Sequence, residues 1–211
     1  MQHEYVEDYA DFEEHHWWFR ARRIILRSLL AREVAWPSNA RALEVGVGPG
    51  LNLYTLYPAG VQPVGLDPDP LNGERARQRG PLPVYTGTVE DMPPPLRDQQ
   101  FDAICLFDVL EHIADDGRAL DLLRARLRPQ GHLVLSVPAY QWMWGRQDEV
   151  SMHHRRYTRA GLCRLLAQHG FAVERATYFN TLLFPPVALL RLLHALRPPR
   201  ATPGRSDFAY G

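Results

Sequence analysis

The stretch ALEVGVGPG, from Ala42 to Gly50, decides how the rest of the chain is read. A short apolar run, Arg41–Gly46, breaks into glycines at 46, 48 and 50 and continues as LNLYTLY, which has helical character. Strand, glycine loop, helix is the opening unit of an open α/β sheet. In such sheets ligands sit at the carboxyl ends of the strands, and the first strand-to-helix turn is the usual cradle. Glycine permits positive φ and close backbone approach, while the following helix aims its first N–H groups at the ligand.

Outward from this loop the pattern repeats. VQPVGLDP (Val61–Pro68) predicts a second strand, and Asp69 before Pro70 predicts an N-cap with proline at the first helical position, opening a helix to about Arg79. PLPVYTG (Pro81–Gly87) reads as a third strand, and FDAICLFD (Phe101–Asp108) as a fourth, apolar enough to be buried on both faces. After a helix through DDGRALDLLRARLRP come a fifth strand at His132–Pro138, a helix capped by Thr158 and stopped by Gly170, and a sixth strand at Phe171–Phe179. Before the loop, Tyr5 to Val34 reads as helix, with Ile24, Ile25, Leu29 and Leu30 as its apolar stripe and arginines opposite. The fold class predicted is α/β: a doubly wound, mostly parallel Rossmann-like sheet with an N-terminal helical lid. The expected organisation is a lid at 1–36, a cofactor-binding domain at 37–180, and an amphipathic helix with an irregular tail at 181–211.

Composition narrows the chemistry. The chain has 211 residues, 24 acidic and 24 basic, and every basic residue is arginine. Without lysine there is no lysine Schiff base, no phosphate-loop lysine and no lysine general base. Zero net charge gives no support for a nucleic-acid partner. The two cysteines, Cys105 and Cys163, have neither metal-site nor disulfide spacing, which suits a reducing cytoplasmic location. Six carboxylates precede the first arginine, the opposite of a signal peptide. TLLFPPVALL (Thr181–Leu190) is interrupted by two prolines and is too short to span a bilayer. With Arg191, His194 and Arg197 on one side, the segment 182–197 reads as core, dimer contact, substrate lid or membrane-surface anchor, and no pattern commits the chain to an oligomeric state.

The loop spacing points to a cofactor. Dinucleotide loops use GxGxxG, whereas this one is ExGxGxG, with Glu44 two residues before Gly46. A carboxylate there repels pyrophosphate and suits a ligand carrying an ammonium group. Asp67, ending the second strand, is placed to accept ribose hydroxyls. Asp91 in TVEDMP is placed for an adenine amino group, with Met92 or its backbone beside the ring. A nucleoside with an amino-acid tail is S-adenosylmethionine, and its product is S-adenosylhomocysteine.

ALEVGVGPG, VGLDPDP, TVEDMP and FDAICLFDVLEH resemble the successive motifs of class I S-adenosylmethionine-dependent methyltransferases. DVLEH resembles the small-molecule branch that includes ubiquinone-type O-methyltransferases. The resemblance covers roughly Trp17 to Asn180. It implies that Glu44, Gly46, Gly48 and Gly50 contact the methionine part, Asp67 the ribose and Asp91 the adenine. It also places Phe107, Asp108 and His112 at the fourth-strand edge, facing cofactor and acceptor. A seventh, antiparallel strand is implied too, but nothing after Phe179 reads as one, so either the sheet lacks it or the chain is truncated.

Two segments are candidates for holding a small-molecule acceptor. EEHHWWFRARR (Glu13–Arg23) offers Trp18 and Arg22. PAYQWMWGRQDEVSMHHRRYT (Pro138–Thr158), too long for a simple turn, offers Tyr140, Trp142, Trp144 and Tyr157 as an apolar wall and Arg156 for an anionic group. His154 or His112 is the candidate general base, held near Asp148. Plainer roles compete: Trp17 as a core anchor, Asp108 with Glu111 as a capping box, His112 as a buried histidine, and Arg155, Arg156 and Arg159 as a solvated face. Adjacent histidines at 153 and 154 point apart, against a metal site. The expected activity is methyl transfer to oxygen or nitrogen of a small molecule. The alternatives are a nicotinamide-dependent oxidoreductase, disfavoured by the loop and by the absence of a Tyr-x-x-x-Lys pair, and a non-catalytic S-adenosylmethionine-binding protein.

Overall fold

The computed structural model describes residues 13–195. Five strands, β1 (Arg41–Val45), β2 (Gln62–Asp67), β3 (Val84–Thr86), β4 (Phe101–Phe107) and β5 (Leu127–Ser136), form one sheet in the order β3-β2-β1-β4-β5. Every neighbouring pair is parallel. The chain therefore runs outward from β1 to β3 and returns to the other side of β1 as β4. The strand order reverses between β1 and β4, and their carboxyl ends form the crevice where such sheets bind ligands.

Eight helices accompany the strands among the described residues: α1 (Trp17–Glu33), α2 (Leu51–Thr55), α3 (Pro70–Gln78), α4 (Pro94–Arg97), α5 (Asp116–Arg126), α6 (Arg146–Val150), α7 (Arg159–Gln168) and α8 (Phe184–Ala195). Side chains alternate faces along a strand, and β4 shows both faces covered. Ala103, Cys105 and Phe107 pack with Leu26, Leu30 and Val34 of the N-terminal segment. Ile104 and Leu106 pack with Ala119 and Leu123 of α5. The predicted caps form: Asp69 accepts from the Leu71 N–H at 2.9 Å with Pro70 behind it, and Thr158 accepts from the Gly161 N–H at 3.1 Å. Gly170, past the end of α7, takes φ +76°.

Four expectations are corrected. The buried stripe of α1 is Phe19, Arg22, Leu26 and Leu30, while Ile24 is 71% exposed. The sheet takes the face on which residues recur at helical spacing, each buried leucine contributing roughly 1.5–3 kcal/mol, and that face brings Arg22 inside with it. Trp17 is exposed, and the neighbouring Phe19 is the anchor. The sixth strand does not form: 171–179 has no ladder partner among the described residues, and none of its side chains is buried. A strand without a neighbour leaves its backbone groups to water and gains nothing from alternation. β5 also starts earlier than expected. Leu127 pairs with Phe101 and His132 with Ala103, so the intervening residues bulge, with Gln130 at φ +64°.

The chain divides into two compact units between Ser136 and Val137. α1 packs within the first unit, against the sheet. The second unit is tied by Asp148, whose carboxylate accepts from Arg156 Nε at 2.7 Å and Nη2 at 2.9 Å, from the Gly145 N–H at 2.8 Å, and bonds His153 Nδ1 at 2.9 Å. Arg156 also donates to the Ala139 carbonyl at 3.1 Å, next to the bridge between Ala139 and Tyr157. In α8 and its lead-in, Leu182, Leu189, Leu190 and Leu192 are all more than half exposed. The His194 side chain and Arg197 lie outside the described residues. No described helix is long and apolar enough to cross a membrane.

Burial alone would raise the Asp148 pKa, but hydrogen bonds from His153 and Arg156 outweigh it and hold the carboxyl well below its usual range. Replacing Asp148 by alanine strands Arg156 without its partner, and the expected cost is on the order of 3 kcal/mol. Thermal unfolding measures it, and an unchanged melting profile would show that the knot is not what holds the 138–158 connection.

Candidate cofactor site

The glycine loop takes the conformation that its residues allow and few others do. Gly46, Gly48 and Gly50 have φ of +70°, +55° and +91°. At two of them the reason is close packing. A Cβ on Gly46 would lie 2.4 Å from Val109 Cγ2, and one on Gly50 2.6 Å from Ala76 Cβ. At Gly48 a Cβ would meet nothing within 4 Å, so this stretch of backbone faces open space.

Asp67 holds that open stretch in place. Its Oδ2 accepts from the Gly48 N–H at 2.8 Å, and its Oδ1 accepts from the Asp69 N–H at 2.9 Å and from Asn72 Nδ2 at 3.3 Å. Burial raises the Asp67 pKa, against the pull of these donors. Three of about four acceptor positions are in use, which leaves one for a ribose hydroxyl and not two.

Glu44 lies at the other end of the loop. In β1 it alternates to the same sheet face as its register partner Cys105, the face covered by α1. Its side chain is buried, and Oε2 accepts from the Tyr57 hydroxyl at 2.8 Å. Burial pushes its pKa up to about 8, with the Tyr57 hydrogen bond opposing and the nearby Glu13 carboxylate adding to the rise.

At the carboxyl ends of β4 and β5, α1 closes against the sheet through charge. Arg22 Nη2 pairs with Asp108 Oδ2 at 2.7 Å and donates to Ser136 Oγ at 3.3 Å, and Ser136 Oγ donates to Asp108 Oδ1 at 3.0 Å. Asp108 sits at φ +58°, a position non-glycine residues rarely hold, which swings its carboxylate toward Arg22. The capping-box reading of Asp108 is replaced by this arrangement: the turn Leu110–His112 has Val109 at its N-cap with no side-chain cap, and Glu111 is buried.

With the strand order, loop and buried carboxylates in place, comparison with known proteins gives one family. The family model "Methyltransferase domain" matches residues 9–176. The chain belongs to this methyltransferase family. It is 28% identical over 164 residues to a "probable S-adenosylmethionine-dependent methyltransferase" of Mycolicibacterium smegmatis, covering 76% of this chain and 62% of that protein. It is 32% identical over 110 residues to a ubiquinone biosynthesis O-methyltransferase of a Bradyrhizobium species, covering 50% of this chain and 42% of the relative. It thus spans less than two thirds of the length of these relatives. Among solved structures, a Thermotoga maritima "SAM-dependent methyltransferase, possible histamine N-methyltransferase" superposes with a TM-score of 0.63 at 24% identity, covering 81% of this chain and 79% of that one, a likeness of fold.

Within this methyltransferase chain the remaining predicted residues are distributed as follows. Asp91 is exposed in the turn after β3, where its N–H donates to Thr88 Oγ1 at 3.0 Å. The Met92 side chain is buried in the core, so its backbone is the part available to an adenine. Phe107 is buried against Leu26 and Leu30, and His112 is half-buried just beyond Asp108. Trp18 is half-buried beside Trp17, ring centroids 6.0 Å apart. In the second unit Tyr140 stacks on Tyr178 at 5.2 Å and lies 5.4 Å from Phe184, which Trp142 meets edge-on at 6.0 Å. Trp144 is half-buried, Tyr157 is buried, and His154 is exposed. Asp148 bonds His153, not His154. A groove of about 260 Å³ lined by Arg20, Arg23, Ile24, Arg27 and Thr55 includes none of the loop residues.

Sequence reasoning missed Ser136, Tyr57 and Asn72. Ser136 had a signal, since it ends the strand next to β4. Tyr57 and Asn72 had none, because their roles depend on how helices fold back on the sheet.

Two measurements test this geometry. Gly50→Ala meets Ala76 and should lose about 2 kcal/mol more than Gly48→Ala, which carries only the positive-φ penalty, in chemical denaturation. The reverse order would contradict the packing. Glu44 keeps its proton in the folded chain up to about 8, whereas its ordinary value is 4.5. The stabilisation from this difference is complete below pH 4.5 and disappears as pH rises toward 8. Melting temperature should fall across that window, and Glu44→Gln should flatten the fall. A parallel decline in the variant would remove Glu44 as the cause.

Proposed function

We propose that the chain binds S-adenosylmethionine in the β1 glycine loop and transfers its methyl group to oxygen or nitrogen of a small molecule. The observation that carries this reading is the open face at Gly48, set between a buried carboxylate at one end, Glu44, and a ribose-type acceptor at the other, Asp67. That spacing matches a ligand with an ammonium at one end and a hydroxylated nucleoside at the other.

In this reading Glu44 receives the ammonium, the Gly48 backbone lies along the methionine part, Asp67 takes a ribose hydroxyl and Asp91 the adenine amino group. When bound, S-adenosylmethionine supplies an electrophilic methyl group on a sulfonium, already activated. The protein's part is then to position the acceptor, exclude water and, for a protonated acceptor, take the proton. His112, in the turn after Asp108, is the candidate base in the first unit, and His154 is the candidate in the second.

Calorimetric titration with S-adenosylhomocysteine and, separately, NAD tests the cofactor. Binding of the first alone is expected, and heat with NAD alone would sink the reading. A screen of small hydroxyl and amine acceptors with methyl-labelled cofactor tests turnover, and binding without any labelled product would favour a non-catalytic role. On an accepted substrate, loss of the base should cost on the order of 10²–10⁴-fold in kcat. Near-normal rates for both His112→Ala and His154→Ala would exclude a histidine base.

A further inference from the structure

Glu13 precedes α1 in a short helical segment, and its carboxylate is buried, 5% exposed, with Oε2 lacking any hydrogen-bond partner. Leaving a buried carboxylate oxygen unpaired costs more than a neutral hydrogen bond gains, so such an atom marks a place where a partner is missing. The surrounding contacts locate it. Arg79 donates from Nε to the Pro49 carbonyl of the glycine loop at 2.8 Å, and its Nη2 lies 3.6 Å from Glu14 Oε2. Glu14 is therefore drawn toward the loop through Arg79, and Glu13 directly precedes it. On the other side, Glu13 is near enough to Glu44 for its charge to raise the Glu44 pKa.

Resting on the cofactor reading above, we propose that Glu13 completes the amino-acid end of the cradle: with Glu44 it forms a carboxylate pair that receives the ammonium of S-adenosylmethionine.

The three nearby arginines do not remove the need for that ammonium. Arg22 is engaged with Asp108 and Ser136, Arg79 with Pro49 and Glu14, and Arg23 donates to the Glu13 backbone carbonyl. Burial pushes the Glu13 pKa up to about 7, despite Arg79, Arg23 and Arg22. Burial disfavours the charged form of both carboxylates, so Glu13 and Glu44 hold protons near neutral pH. An arriving ammonium favours the ionised forms, so binding expels protons to solvent, and affinity for an ammonium-bearing ligand rises as pH increases through this range. An NH₃⁺ group has three donors, enough for Glu44, Glu13 and one loop carbonyl.

The test is calorimetry near pH 7 in two buffers of different ionisation enthalpy, using S-adenosylhomocysteine and 5′-methylthioadenosine. The second probe keeps the nucleoside and thioether and lacks the amino-acid end. Glu13→Gln should weaken S-adenosylhomocysteine by roughly tenfold or more, change methylthioadenosine by less than about twofold, and release fewer protons per homocysteine ligand than the unaltered chain. Unchanged melting would show that the variant folds, and Glu13→Asp, which keeps the charge, should recover part of the affinity. Equal weakening of both probes, or homocysteine-ligand affinity and proton release matching the unaltered chain, would overturn the role of Glu13 and leave the cofactor reading standing. Failure of the unaltered chain to bind S-adenosylhomocysteine would overturn both.

Discussion

The carboxylate of Asp67 is the contact on which the site's geometry depends. It sits at the end of β2, yet it reaches back to the loop after β1 through the Gly48 N–H and forward to the start of α3 through the Asp69 N–H. One side chain thus fixes two crossovers of the sheet relative to each other. The glycines supply the freedom to bend, but freedom alone specifies no conformation. Positive φ at 46, 48 and 50 becomes a single shape because Val109 and Ala76 close two sides of the loop and Asp67 anchors the third. What remains uncovered is the backbone at Gly48.

The second constraint is dielectric. α1 lays Leu26 and Leu30 on the face of β4 that carries Cys105, and Glu44 lies on the same face one strand over. Apolar packing that stabilises the N-terminal helix therefore also strips water from the carboxylate at the mouth of the loop. The same burial raises Glu44, Glu13, Tyr57 and Cys105. A site of this kind is costly in the cofactor-free protein, since each buried polar group forgoes hydration. The cost is reduced by holding protons on the carboxylates.

Local chemistry was legible in the sequence where it depends on nearest neighbours. The N-cap at Asp69, the cap at Thr158 and β4 as a doubly buried strand all follow from residues within one turn or one strand of each other. The glycine loop could be read for the same reason. What was not legible depends on tertiary choice. Ile24 and Leu26 are equally apolar, and only the sheet decides which is buried. FAVERATYF has strand-like residues, but a strand exists only beside another strand. Arg22 and Asp108 were each singled out, for an acceptor and a cofactor, and nothing in their separation of 86 positions says that they pair, as they do at 2.7 Å. Glu13 was passed over because an acidic residue in an acidic segment looks solvated until the fold removes its water.

The lysine-free composition takes on a structural meaning at two of its arginines. Arg156 forms a two-pronged contact with Asp148 through Nε and Nη2 and still donates from Nη1 to the Ala139 carbonyl. Arg22 reaches both the Asp108 carboxylate and the Ser136 hydroxyl from one nitrogen, Nη2, while remaining 6% exposed. An ammonium has three donors at one point, whereas the Arg156 contacts need several donors spread across a plane. A lysine at 156 could satisfy one oxygen of Asp148 or the carbonyl, but could not reproduce the two-pronged contact together with the carbonyl bond. At 22 the guanidinium is also the less strongly hydrated cation, and so the cheaper one to bury under α1. Arginine is therefore required by donor geometry at 156 and favoured by its weaker hydration at 22, whatever sets its use over the rest of the surface.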